Sequence, residues 1–289
     1  MRKKVVIAIV LIVLGVLVGV GGSYYYFVVR DNNSSKSSNS DDSSEKVEEE
    51  RAELSLTDSS FSNTLDALSP FTYEQSRENG YSSFSSFELL QIVAKDLTDA
   101  DFTYLGEQVI SGWNRKVYQL SYQTLIDKLK QYFSSDVEFD ANTLVDSNGG
   151  AILPNVHFEE GSGMVISSYD SENGTYQVYF GGVGGTSGPG PQITARKVTE
   201  AYRLGDHVYV TERAIYYTSV SPDYTNFTYS IYSHPGETDL IDTLVFNVED
   251  ITSQSISVDN YLDSAATISY VFSKDSESGN YVFSSSKIS

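Results

Sequence analysis

The chain opens on an unbroken apolar run. From Val5 to Val29 there is no charged residue, and Val5 to Gly22 is almost entirely Val, Ile, Leu, Ala and Gly. At about 1.5 Å per residue such a run crosses most of a roughly 30 Å hydrocarbon layer. Backbone groups in lipid must pair internally, so the run is predicted to be helical despite its β-branched content. Tyr24, Tyr25, Tyr26 and Phe27 complete it as an interfacial aromatic belt. The expected span therefore includes Val5, Leu14, Gly15, Gly19, Tyr24 and Tyr26. Gly15 and Gly19 stand at G-x-x-x-G spacing, which would let two copies dimerise through this face; glycine is also simply common in membrane helices. A cleaved signal peptide is the competing reading, with Gly19 and Gly21 before the cut. The apolar run is longer than the roughly 7–15 residues of a signal core and no A-x-A follows, so an uncleaved anchor is expected.

At residue 31 the pattern changes at once. Residues 31–60 hold ten Ser, nine acids, three bases and three Asn, with almost nothing apolar before Leu54. Such a stretch buries too little surface to offset the entropy of ordering, and it is predicted to be a disordered, self-repelling spacer.

Periodic patterns resume in residues 61–289. Ser85-Ser86-Phe87-Glu88 is a capping-box pattern, with Leu89, Leu90, Val93 and Leu97 on one face behind it. A second helix is expected from Ser121, where Tyr122, Leu125, Ile126, Leu129 and Phe133 share a side. Beyond Phe133 the chain reads as β. Met164–Ser168 and Tyr176–Phe180 flank an Asn173-Gly174 turn. Ile193–Arg203 and His207–Tyr217 flank Gly205-Asp206, and Phe227–Ser233 and Leu240–Val248 flank Pro235-Gly236. Ala266, Ile268, Tyr270 and Phe272 alternate with polar positions, and Tyr281–Phe283 closes the last hairpin. The expected fold class is α+β: a transmembrane helix (1–30), a linker (31–60), and helices packed on a predominantly antiparallel sheet (61–289). A sub-boundary near 112–118 is an option, so one core or two is left open.

Charge and composition narrow the function. The net charge is −20, but residues 1–30 carry four bases and no acid, which leaves 15 bases against 39 acids in the rest. Arg2, Lys3 and Lys4 place the N-terminus in the cytoplasm and the acidic part outside. The negative remainder excludes a generic nucleic-acid or anionic-lipid binder. No cysteine is present, which excludes disulfide scaffolds, thiolate metal sites and cysteine nucleophiles.

Candidate chemistry is sparse. Gly181 to Pro191 is Gly-rich, but it lacks a phosphate-loop register and its prolines remove N–H donors. It is expected to be a wide turn between strands, or a loop set against a partner through Gly182, Gly185, Ser187 and Pro189. His157, His207 and His234 have no metal spacing. D-S-E-x-G-x-Y occurs at Asp170–Tyr176 and again at Asp275–Tyr281. Hairpin-turn chemistry explains it better than calcium loops, because Gly181 and Ser286 stand where a liganding acid is needed. Asp96, Asp99 and Asp101 read as a helix end and loop, and Trp113 as a sugar-facing or half-buried sheet residue. No catalytic, cofactor or metal residue is assigned, and at most weak surface Ca²⁺ is expected.

The order of elements resembles a group of uncharacterised, single-pass membrane-anchored extracytoplasmic proteins of low-GC Gram-positive bacteria. The likeness rests on the anchor, the Ser/acidic spacer, Val117–Ser121 entering an amphipathic helix that ends Tyr132-Phe133, the Gly-Gly loop and the closing Tyr281–Ser285. It implies no activity. A helix on a curved antiparallel sheet is similar in outline to cystatin-like and NTF2-like folds. The function expected is a membrane-tethered extracytoplasmic binding module for an unknown envelope component or membrane protein, with no nucleic acid. The alternative is a carboxylate-dependent glycan hydrolase of the cell envelope, which would need two converging carboxyls with one raised.

Overall fold

The computed structural model describes residues 50–145, 152–158, 161–180, 193–221, 225–247 and 256–289. Residues 49–289 form one compact unit. Its described helices are α1 (Ser62–Thr72), α2 (Ser86–Ala94) and α3 (Tyr122–Leu129). Its strands begin with β1 (Ala52–Glu53), β2 (Phe102–Ile110), β3 (Trp113–Ser121), β4 (Ile152–Phe158), β5 (Gly161–Asp170) and β6 (Thr175–Phe180). They continue with β7 (Ile193–Leu204), β8 (His207–Val220), β9 (Asn226–His234), β10 (Thr238–Asn247), β11 (Ala266–Lys274) and β12 (Tyr281–Ile288). The unit is α+β, with few helices packed against antiparallel sheets, as the pattern implied.

The helix starts follow from local chemistry. Ser85 accepts the Glu88 N–H and Glu88 accepts the Ser85 N–H, so the reciprocal cap forms as read from sequence. Ser121 caps α3 by accepting the Gln123 N–H. That helix ends at Leu129, and a tight turn carries Tyr132 and Phe133 back onto the core.

Two antiparallel sheets form where one was expected. The first runs β2-β3-β6-β5-β4. The second runs β1-β7-β8-β11-β12, with β9 also on β8 and β10 on β9. The long β8 makes this branching: residues 207–214 pair with β11, and residues 216–220 pair with β9. All four hairpins expected after residue 160 form about their turns.

Three features depart from the expectation. Order begins before residue 61, because Ala52 and Glu53 pair with Arg203 and Tyr202, and the Leu54 N–H bonds Ala201. A helix, α1, follows directly on this Ser-rich stretch and contains Pro70. Residues 102–121 form a hairpin, β2–β3, although the residues before Val117 carry no clear strand pattern.

The cores answer the question left open by length. One cluster takes Leu65 and Leu68 of α1, Leu90 and Val93 of α2, and Leu125 and Leu129 of α3. The same cluster takes Leu120, Tyr176 and Val178 of the first sheet and Val210, Tyr270 and Phe272 of the second. Phe84, Phe133 and Phe283 meet edge-on within it at 5.4–6.1 Å. A smaller satellite, Ile215, Ile231, Val258 and Ala265, lies at the β8–β9 end.

Candidate functional site

The expected membrane-spanning residues Val5, Leu14, Gly15, Gly19, Tyr24 and Tyr26, and the loop residues Gly182, Gly185, Ser187 and Pro189, lie outside the described residues. Among the described residues no helix is long and apolar enough to cross a membrane.

Among the described residues the two most exposed large apolar side chains lie on β2–β3, and Val245, Val220 and Leu240 of the β8–β10 region follow. Val109 is 72% and Trp113 69% exposed, and Tyr104 and Leu105 are also open. β3 pairs with β6 from Val117 to Ser121, while Glu107–Ile110 of β2 face Trp113–Lys116 of β3. Ser111 (φ 50°) and Gly112 (φ 83°) both sit at positive φ and close the ribbon as a type I′ turn. Trp113 therefore stands beside the tip, not on a half-buried sheet face.

A polar cleft of about 370 Å³ opens beside α1, lined by Leu65, Asp66, Arg196, Val198 and Glu212 among others. Glu212 is fully buried. The Arg196 guanidinium donates to Glu212 at 3.0 Å and to Asp66 at 2.5 Å. The Tyr270 hydroxyl donates to Glu212 at 3.0 Å and lies 2.9 Å from Thr72 Oγ1. Burial pushes the Glu212 carboxyl up, and Arg196 and Tyr270 only partly offset it. Burial first, then the Glu212 charge, pushes Tyr270 well above the usual phenol range. The sequence carried a signal for this pair. Val208, Val210, Glu212, Ala214 and Tyr216 occupy one alternating set on β8 and all are buried, so a carboxyl stands in an apolar register.

A second cleft, about 730 Å³, lies where α1, the ends of α2 and α3, and the β11–β12 turn converge. Its carboxylates already hold protein donors. Tyr132 donates its hydroxyl to Asp96, Gln123 donates to Asp127 at 2.8 Å, and Asp66 holds Arg196. Burial, then the hydrogen bond to Asp96, raises the Tyr132 phenol. Lys95 lies over the Tyr132 ring at 5.7 Å. Asp96, Asp99 and Asp101 do form a helix end and loop, where Asp101 accepts the Thr98 N–H and pairs with Lys128 at 3.1 Å.

The repeated D-S-E-x-G-x-Y turns are built by their first residue. Asp170 accepts the Glu172 and Asn173 N–H groups, and Asp275 accepts those of Glu277 and Ser278. Asp275 also accepts the Ser135 N–H at 3.3 Å, which ties the second turn to the chain after α3. Of the histidines, His207 opens β8 with its ring 6.2 Å from that of Tyr209. His234 ends β9 beside Ser233, and His157 falls in β4 opposite Ser162. Among the described residues no group of three or more His, Asp or Glu side chains could hold a metal ion. Comparison with protein-family models, curated proteins and solved structures finds no match to this chain.

Proposed function

We propose that the chain is a single-pass membrane protein with a cytoplasmic N-terminus, and that its α+β unit is a tethered extracytoplasmic module. Its partner is an envelope component or another membrane protein. The observation that carries this reading is the β2–β3 ribbon. Val109 and Trp113 are both exposed near its tip, one on each face of the ribbon, and Tyr104 and Leu105 are open along it. A run of open apolar side chains on an acidic, well-solvated domain is an interaction surface more readily than a neutral accident. An anchor and spacer would raise the local concentration of such a ribbon near its partner. The resemblance to anchored Gram-positive envelope proteins agrees with this placement, and helices on antiparallel sheet are what support the analogy to a cystatin-like or NTF2-like outline. Gly15 and Gly19 would bring two copies together, and the acidic exterior would attract weak surface Ca²⁺.

The glycan-hydrolase reading has less support. The carboxyl that burial raises, Glu212, shares a cleft with Asp66, but Arg196 bridges the two. A glycosidase pair needs its raised acid facing the opening. Here Glu212 faces Arg196 and Tyr270 instead.

The test is co-purification from native membranes with full-length chain, wild type against Val109→Ser/Trp113→Ser. Both sites are exposed, so the fold should be retained, with circular dichroism as the check. A partner recovered with the wild type and lost with the variant is the expected result. The same partners at the same yield with both chains would remove the ribbon from the proposal.

A further inference from the structure

The 730 Å³ cleft between the helix ends and the β11–β12 turn falls within the roughly 300–1,000 Å³ of small-molecule sites. It shares no lining residue with the β2–β3 ribbon and is separate from whatever the ribbon binds. Its lining selects a ligand class by exclusion. No aliphatic side chain lines it, so a lipid tail or an apolar peptide side chain finds no counterpart. Asp66, Asp96 and Asp127 oppose a phosphate, and Lys95 and Lys130 oppose a bare divalent cation. Asn63, Gln131 and Asn280 remain, together with hydroxyls from α1 and the segment before it. Amides and hydroxyls both donate and accept, which suits a ligand whose own groups do both. The ring of the half-buried Tyr281 supplies the flat apolar surface that such a ligand also presents, whereas Tyr132 is buried with Lys95 over its ring.

The second D-S-E-x-G-x-Y turn builds one wall of this cleft. Its last three residues, Gly279, Asn280 and Tyr281, line it. Asp275 is buried and fixes the turn through the N–H groups of Glu277 and Ser278. Its bond to the Ser135 N–H holds the turn against the segment that carries Gln131 and Tyr132. The two walls are therefore positioned by one carboxylate, before any ligand arrives. The first copy of the motif has an exposed Asp170 that bonds only within its own turn. We infer that the cleft between α1, α3 and the β11–β12 turn binds an uncharged, hydroxyl-rich ligand of the carbohydrate class, with Asn63, Asn280, Gln131 and Tyr281 as its contacts.

The experiment is calorimetric titration of the full-length chain in lipid nanodiscs, since a glycoside detergent would compete. The probes are a tetrasaccharide of N-acetylglucosamine, a tetrasaccharide of glucose, and inorganic phosphate. At least one tetrasaccharide is expected to bind, and phosphate is not expected to displace it. Asn63→Ala/Asn280→Ala, both on exposed positions, should weaken binding about tenfold or more, since each amide lost removes one or two hydrogen bonds. Tyr281→Leu, which keeps apolar volume, should weaken it too, while Trp113→Ser should not. Neither tetrasaccharide binding at millimolar concentration would overturn the inference. So would affinity unchanged in both cleft variants, or phosphate competing for the site.

Discussion

Glu212 is the residue at which local pattern and chemistry disagree most. Strand alternation places it inward, and a lone carboxylate there would be costly. Arg196 resolves the conflict, reaching across from β7 to hold Glu212 and Asp66 at once. The alternation was readable in residues 208–216, but the partner was not, because the register between β7 and β8 decides which cation stands opposite. The unbroken register from Arg196 opposite Ala214 to Val198 opposite Glu212 makes Arg196 and Glu212 diagonal neighbours on one face. Removing the cation alone is therefore expected to be severe. Arg196→Met should cost about 3–5 kcal/mol at neutral pH by leaving a buried carboxylate without its cation. The cost should depend on pH in a definite direction. The folded state holds the Glu212 proton more tightly than the unfolded chain does. That contribution is complete below the unfolded carboxyl range and lost as pH rises through the folded value. Without Arg196 the folded value rises further, so the variant should recover part of its stability as pH falls from 7 toward 5. Glu212→Gln/Arg196→Met should be much less destabilised than Arg196→Met alone. Urea denaturation of the three chains across that window reads both effects, and a penalty independent of pH would mean that Glu212 is not the group left uncompensated.

Which elements were legible depends on whether their signals were local. The Ser85–Glu88 box is four residues of self-contained chemistry, and it forms as written. The later hairpins carry glycine turns between alternating runs, and they pair about those turns. α1 was hidden because its sequence, Ser62 to Thr72, continues the Ser-rich composition before it and contains Pro70. Proline cannot donate to the Asp66 carbonyl, and Ser69 Oγ reaches that oxygen instead, at 3.4 Å. The β2–β3 hairpin was hidden for two other reasons. A bulge between Tyr104 and Gly106 breaks the alternation, and the turn is Ser-Gly where Asn-Gly or Asp-Gly would announce itself. That turn offers a clean measurement. A Cβ on Gly112 would meet nothing within 4 Å, yet its φ of 83° is one that L-residues resist. Gly112→Ala should thus cost about 1–2 kcal/mol through backbone conformation alone. Ser111→Asn should stabilise by a few tenths to about 1 kcal/mol, since Asn tolerates positive φ better than Ser. Thermal unfolding followed by circular dichroism orders the three chains. An alanine variant as stable as the parent would show that the ribbon tip does not hold the I′ geometry.

At the scale of the molecule, the −18 of residues 61–289 acts on a single shared core. All three helices and both sheets contribute to one buried cluster, so the unit should unfold in one cooperative transition. Trp113 is 69% exposed and will report little of that transition, which makes far-ultraviolet circular dichroism the better probe. The paired acids are local exceptions to the overall repulsion. Burial raises the Glu88 carboxyl, but the Ser85 N–H and the Arg77 guanidinium outweigh it and hold the group below the usual range. Among the described residues most other carboxylates stand on the surface, and only 12 bases oppose 30 acids in residues 61–289. Such an excess strains the compact state through self-repulsion, and salt relieves it over a Debye length of about 10 Å at 0.1 M. Raising sodium chloride from low ionic strength to that level should therefore raise the melting temperature. Surface Ca²⁺ makes a separable claim, because binding adds to screening only where an ion occupies a site. At matched ionic strength, millimolar Ca²⁺ should give a higher melting temperature than chelator if carboxylates on this surface hold the ion. Equal temperatures, with a salt effect still present, would reduce the acidity to a diffuse field and remove calcium from the protein's chemistry.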